Sequence, residues 1–191
     1  MRSRFAYLFS AWNRKQKLNY ILKFALKHKV KTILLVGVSP RSRTSSYENL
    51  IEQGLLAQSQ FSVTVTGLEQ NGDGWPNWIQ ANALQLPFGS SSFDLVLSNA
   101  VIEHVGTEVL QRIFVSEHVR VGKNWIITTP NRLFPIEAHT HIFLKHMRKG
   151  WSTDSVTRLL SKSELKAMLP VNNKIVGNSL WPTFLAHNKE K

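Results

Sequence analysis

From Lys31 to Gly37 the chain is a short run of β-branched and leucine side chains ended by a turn, the pattern of a strand buried on both faces of a parallel sheet. Beyond it, Ser45 and Glu48 have the spacing of a capping box, and Tyr47, Leu50, Ile51, Gly54, Leu55 and Gln58 trace one face of a helix. Phe61 to Leu68, FSVTVTGL, alternates β-branched positions and predicts a second strand. From Glu69 to Trp78 the composition turns to Asn, Gly, Asp and Pro, which predicts a loop. Trp78 to Ala81 predicts a brief third strand and Phe93 to Ala100, FDLVLSNA, a fourth. Val105, Val109, Leu110, Ile113, Phe114 and Glu117 predict a helix over Glu103 to His118, and NWIITTP, Asn124 to Pro130, a fifth strand. An irregular stretch to Trp151 precedes a helix near Ser161 to Leu169 and two strands, Lys174 to Leu180 and Thr183 to His187. Strands and helices alternating at these lengths predict an α/β fold: a mostly parallel sheet of about seven strands, the last antiparallel, with helices on both faces.

Ahead of the first strand, Leu18, Ile21, Leu22, Ala25 and Leu26 recur at helical spacing. The same segment carries Arg2, Arg4, Arg14, Lys15, Lys17, Lys23, Lys27, Lys29 and Lys31 and no acidic residue. It predicts a basic amphipathic helix over residues 1–30, followed by a single domain over 31–191. The length of 191 residues and a 42% hydrophobic content suit one core. Net charge is +12, and the cationic helix face has three readings: a solvated cover, peripheral contact with an anionic membrane, or a nucleic-acid patch. As a partner, lipid is favoured over nucleic acid, although charge alone discriminates weakly. The opening MRSRFAYLFSAWNRK places basic residues before an apolar run, but the run stops after Trp12 without a small-residue cleavage site, so it is not read as a secretory leader. No stretch approaches the roughly 20 apolar residues of a membrane span. A cytoplasmic location with peripheral membrane contact is the expectation. The absence of cysteine removes disulfides, thiolate metal sites and thiol nucleophiles.

In sheets of this kind ligands bind beyond the carboxyl ends of the strands. That rule collects the Gly37 to Arg43 turn, Glu69, Asn82 and Ala83, Ser98 to Ala100, and Thr129 to Asn131. Glu69, after the second strand, has the chemistry to accept hydrogen bonds from vicinal ribose hydroxyls, although an acidic residue there is also an ordinary loop residue. His104 is the leading general-base candidate, with a helix-start packing role as its alternative, and Glu103 is equally open. Glu137, His139 and His141 alternate along IEAHTH and so point one way, but no fourth ligand is evident and no metal is expected.

ANALQLPFGSSSFDLVLSNAVIEHV, Ala81 to Val105, resembles the class I S-adenosylmethionine-dependent methyltransferases of the small type 11 group. NWIITTPNRLFPIEAHTH, Asn124 to His141, and RLLSKSELKAMLP, Arg158 to Pro170, are similar to further parts of the same group. The resemblance implies a Rossmann-like fold and S-adenosyl-L-methionine as cofactor. It implies Gly37 as the first glycine of the cofactor loop, Glu69 as the ribose acid, Asn82 with Ala83 at the adenine, and Ser98, Asn99 and Ala100 beneath the methyl donor. It places Asn131, Arg132, Phe134, Glu137, His139 and His141 on the acceptor wall. The loop departs from the group's pattern: Leu35 stands where an acid is usual, and Ser39 and Arg41 where glycines are usual. Either Arg41 or Arg43 reaches the methionine carboxylate and the loop widens, or the pocket has lost its cofactor; retained binding, with Ser39 and Arg41 in the site, is the reading carried forward. No Asn/Asp-Pro-Pro-aromatic motif follows the fourth strand, and cysteine-dependent cytosine chemistry is excluded. The expected activity is therefore methylation of a small-molecule, saccharide or lipid-linked acceptor. The alternatives are an inactive scaffold of the same fold and an RNA-associated methyltransferase.

Overall fold

A computed structural model describes residues 4–43, 48–134, 157–178 and 180–189. Its centre is β1 (Thr32–Val36), which pairs in parallel with β2 (Ser62–Gly67) on one side and β4 (Phe93–Asn99) on the other. β3 (Trp78–Gln80) extends the sheet beyond β2, and β5 (Gly122–Pro130) extends it beyond β4, both in parallel. β7 (Thr183–Asn188) runs antiparallel to β5, and β6 (Asn173–Val176) antiparallel to β7. The order is β3-β2-β1-β4-β5-β7-β6, so the chain reverses direction across the sheet between β1 and β4. This is the Rossmann-like arrangement expected from the sequence.

Alternation along β1 sorts the core into two halves. Ile33 and Leu35 face one hydrophobic cluster, Leu34 and Val36 the other, and none of the four is more than 2% exposed. α1 (Arg4–Lys27) and α2 (Leu50–Leu56) cover the first face through Ile21, Phe24, Ala25, Ile51 and Leu55. α3 (Glu108–Val121) and α4 (Lys162–Met168) cover the second through Phe114, Val115 and Leu165. Truncating a fully buried ring such as Phe114 to alanine in such a core costs about 3–5 kcal/mol.

Four expectations differ in detail. Leu26 is 61% exposed, and Phe24 turns inward instead, stacking on His28 with ring centroids 4.1 Å apart. α2 begins at Leu50 with Asn49 at its N-cap and no side-chain cap bond, while Ser45 and Tyr47 lie outside the described residues. The helix expected from Glu103 starts at Glu108: a 3-10 turn over Ile102–His104 is cut off by Gly106, which adopts φ +99°, and Thr107 caps the true helix by accepting from the Leu110 N–H. Val109, assigned inward by periodicity, is 66% exposed as a result. β6 stops at Val176 instead of Leu180, because Gly177 turns the chain with φ +105°. α4 begins where expected, behind a full capping box between Ser161 and Glu164. No described helix is long and apolar enough to cross a membrane.

His118 is fully buried in α3 and its Nδ1 donates to the Phe114 carbonyl oxygen at 2.8 Å. Burial pushes its pKa down to about 4, against which the Phe114 bond acts only partly. Between about pH 6.5 and 4 the unfolded chain therefore binds a proton that the folded chain refuses. The His118 contribution to stability should be constant above about pH 6.5 and fall as pH drops toward 4. The difference in urea unfolding midpoint between the parent and His118→Gln should follow that curve.

Candidate active site

The carboxyl ends of β1 to β5 meet at one edge of the sheet, and the loops leaving β1 to β4 border a cavity of about 580 Å³. Its shape follows from two close approaches. Gly37 adopts φ +75°, and a Cβ there would lie 2.5 Å from the Val101 side chain, so only glycine lets the chain leave β1 under the 3-10 turn. At the end of β2, a Cβ on Gly67 would sit against the Val38 carbonyl oxygen and the Trp78 ring. The Val38 N–H donates to the Thr66 carbonyl oxygen at 2.8 Å, which draws the turn onto β2.

Two tryptophans from the 69–78 loop substitute for glycine-rich economy. Trp75, 5% exposed, donates its indole N–H to the Ser39 carbonyl oxygen at 3.0 Å, and Trp78 donates to the Glu69 carbonyl oxygen at 3.2 Å. The Arg41 guanidinium lies over the Trp75 ring, 5.5 Å from its centroid, and the Arg41 N–H donates to the Gly72 carbonyl oxygen. The side chain that the sequence placed in the methionine pocket is thus stacked on the loop next door, and the cavity persists.

Gly37, Ser39, Glu69, Asn82, Ala83 and His104 line this cavity together, joined by Pro40, Leu68, Leu84 and Val101. Asn82 accepts from the Leu84 N–H at 2.9 Å through its amide oxygen, which keeps a second lone pair and both amide N–H donors. His104 is exposed, with Nδ1 3.1 Å from the Thr157 hydroxyl. Ala100, on the cavity wall, holds φ +57°, a left-handed conformation that costs a non-glycine residue about 1 kcal/mol. Asn131 and Arg132 do not line the cavity. Asn131 is buried, donating to the Trp181 carbonyl oxygen and accepting from the Leu133 N–H, while Arg132 pairs with Glu164 at 2.9 Å. Glu137, His139 and His141 lie outside the described residues.

Ser98 and Asn99 lie behind the wall, and Asn99 belongs to a polar cluster that the sequence reading missed. Its amide oxygen accepts from the Lys17 ammonium and the Thr128 hydroxyl, both at 2.9 Å, and its amide nitrogen donates to Glu52 at 3.3 Å. Glu103, wholly buried, accepts from the Thr129 hydroxyl at 3.0 Å. One carboxylate oxygen of Glu52, one of Glu103 and the Ser98 hydroxyl have no hydrogen-bond partner among the described residues. Burial pushes the Glu103 carboxyl up to about 7 and raises Glu52, while burial and the neighbouring Arg14 charge pull Lys17 down to about 8. Lys17 comes from α1, Glu52 from α2 and Asn99 from β4, so no local spacing announces the cluster. An acidic residue inside the apolar run of α2 was the one available signal.

The arrangement fits an adenosine. A half-buried carboxylate stands at the end of β2, an amide with spare donors and acceptor capacity follows β3, and the apolar Leu68, Ala83 and Leu84 line the same cavity. The volume is that of a small-ligand pocket. Among the described residues no group of three His, Cys, Asp or Glu side chains is placed to hold a metal ion.

The sequence model of a methyltransferase domain matches residues 25–124, just over half of the chain. A search of curated proteins finds no match. Among solved structures, a Pyrococcus horikoshii OT3 protein aligns with a TM-score of 0.60 at 16% identity over 93% of this chain and 90% of its own. An S-adenosylmethionine-dependent methyltransferase from Archaeoglobus fulgidus aligns with a TM-score of 0.60 at 11% identity, over 93% and 94%. The magnesium protoporphyrin IX methyltransferase of Synechocystis PCC 6803, solved with bound S-adenosylhomocysteine, aligns at 0.55 and 9% identity, over 92% and 82%. At these identities the likeness is one of fold.

The buried Glu103 carboxyl has a measurable consequence. As pH rises from about 4.5 to 7, the unfolded chain loses this proton before the folded chain does, so the Glu103 contribution to stability should decline across that window and level off above it, in the opposite sense to that of His118. The difference in urea midpoint between the parent and Glu103→Gln, which keeps an acceptor for Thr129, should follow that decline.

Proposed function

The chain belongs to the methyltransferase domain family and is a class I S-adenosylmethionine-dependent methyltransferase; from that premise we propose that the strand-end cavity seats the cofactor for methylation of a small-molecule, saccharide or lipid-linked acceptor. The observation that carries the reading is the meeting of Gly37, Glu69 and Asn82 around one cavity despite the loss of the other loop glycines. Glu69 would accept from the two ribose hydroxyls. Asn82 would meet the adenine edge, with Leu68, Ala83 and Leu84 packing the base. Gly37 and Ser39 would face the amino-acid end, with the Arg41 charge held close by on Trp75.

The cofactor, when bound, supplies an electrophilic methyl group on a sulfonium. What this chain must add is alignment of the acceptor and, for a hydroxyl or amine, a place for its proton. His104 is on the cavity wall, its ring oriented by Thr157, and takes that proton in this reading. By the family resemblance, Glu137, His139 and His141 would supply acceptor contacts, and Asn131 and Arg132 would act through the turn they brace after β5.

Calorimetric titration with S-adenosylmethionine and S-adenosylhomocysteine should show binding of both. Glu69→Ala should weaken it about ten- to a hundredfold, the worth of hydrogen bonds to a charged acceptor. In an acceptor screen that reads S-adenosylhomocysteine release, His104→Gln should slow turnover by about a hundredfold or more at unchanged cofactor affinity. Absence of binding at millimolar cofactor would overturn the reading.

A further inference from the structure

At the edge of the sheet opposite the cofactor cavity, the last turns of α1, the start of β5, the turn before β6 and the end of β7 come together. They border two concavities of about 490 and 590 Å³, and His28, Asn188 and Lys189 line both, so the two form one continuous groove. Lys23, Lys27, Lys174 and Lys189, all exposed, line the first concavity, and Lys123 lines the second with its ammonium 2.8 Å from Asp94. Among the described residues no carboxylate lines either one. The floor is held in place by packing: the Tyr20 hydroxyl bonds the His187 Nε2 at 2.8 Å, and Phe24 meets His187 edge-on at 5.0 Å.

Lysines crowded along a trench repel one another, and the repulsion is relieved by an anion that follows the trench. Ammonium groups on flexible stems suit phosphates spaced along a chain, which need charge more than bidentate geometry. A bilayer is a poor fit for two reasons. A flat surface does not enter a concave groove, and the seven residues of β4 hold the cofactor mouth about 20 Å from this edge, so docking here would turn the mouth away from lipid. The exposed Asn172 on the wall of the second concavity adds an amide that can meet bases or sugars, whereas the Asn188 amide is held by the Trp125 N–H and the Asn124 amide oxygen.

We propose that this groove binds single-stranded RNA through its phosphates, on the edge of the sheet remote from the cofactor, so that an RNA-held protein keeps its active site open. The site goes beyond the methyl-transfer reading and does not depend on it. Four phosphate contacts predict a slope of log affinity against log salt of about −3 for a single strand, hence about a fiftyfold loss between 50 and 200 mM salt.

The test is fluorescence polarisation of a labelled oligouridylate of about a dozen nucleotides with the full chain. Lys174→Gln combined with Lys189→Gln should weaken binding at least tenfold at low salt and halve the slope, at unchanged thermal midpoint. A control pair, Lys15→Gln with Lys162→Gln, removes the same charge from residues outside the groove lining and should weaken binding less than threefold. Saturating S-adenosylhomocysteine should leave RNA binding unchanged. A flat salt response, equal weakening by the control pair, displacement of the strand by S-adenosylhomocysteine, or binding only to phosphatidylserine vesicles and not to the oligonucleotide would each overturn the assignment.

Discussion

The turn that leaves β1 has almost no space to exist. It passes between the Val101 side chain and the end of β2, where neither position 37 nor position 67 has room for a β-carbon. The cofactor cavity is what remains beside that passage, and its other walls take their positions from it. Trp75 fixes the turn from the second loop by donating to the Ser39 carbonyl oxygen, while Trp78, at the start of β3, packs on Gly67 and ties back the Glu69 carbonyl oxygen of its own loop. Rigidity that other loops of this kind obtain through short glycine-rich backbone is here supplied by indole rings. Ser39, Pro40 and Arg41 can therefore replace smaller residues without closing the cavity. Ala100 stores a little of the cost in its left-handed backbone at the point where β4 opens into the site.

Charge divides along the strand axis. Glu52, Glu69 and Glu103 gather at the carboxyl ends of the parallel strands, whereas Lys23, Lys27, Lys174 and Lys189 gather at the other. The net charge of +12 hides this separation, because a sum has no direction. At the acidic end, the Lys17 ammonium lies near two buried carboxyl groups, and burial, which its charge offsets only in part, pushes Glu103 toward neutral pH and raises Glu52. The cluster lies one residue behind the cavity wall, since Asn99 precedes Ala100 and Glu103 precedes His104. Its protonation state therefore bears on the electrostatics of any acceptor that reaches the wall.

Most strands were legible because each announces itself through residues a few positions apart. Ile33 to Val36 must be apolar at every position to be buried on both faces, and FDLVLSNA repeats the same logic. Helix starts were less legible. The apolar spacing from Val105 onward continues smoothly through Gly106, and only the glycine's positive φ and the Thr107 cap set the real boundary at Glu108. The lining of the cavity was legible where it is local to strand ends, as at Gly37, Glu69, Asn82 and His104. It was illegible where partners come from distant segments: Lys17 and Asn99 are 82 residues apart, and the Trp75 and Ser39 bond spans 36. Composition identified residues 69–78 as a loop but gave no indication that Trp75 braces another one.

The flanks of the sheet carry a different consequence. It ends in β3, three residues long, on one side and in β6, four residues long, on the other. Neither offers an incoming polypeptide more than a couple of unsatisfied main-chain groups, so lateral growth by strand addition, the route by which exposed β-edges seed aggregates, finds little to hold at either margin.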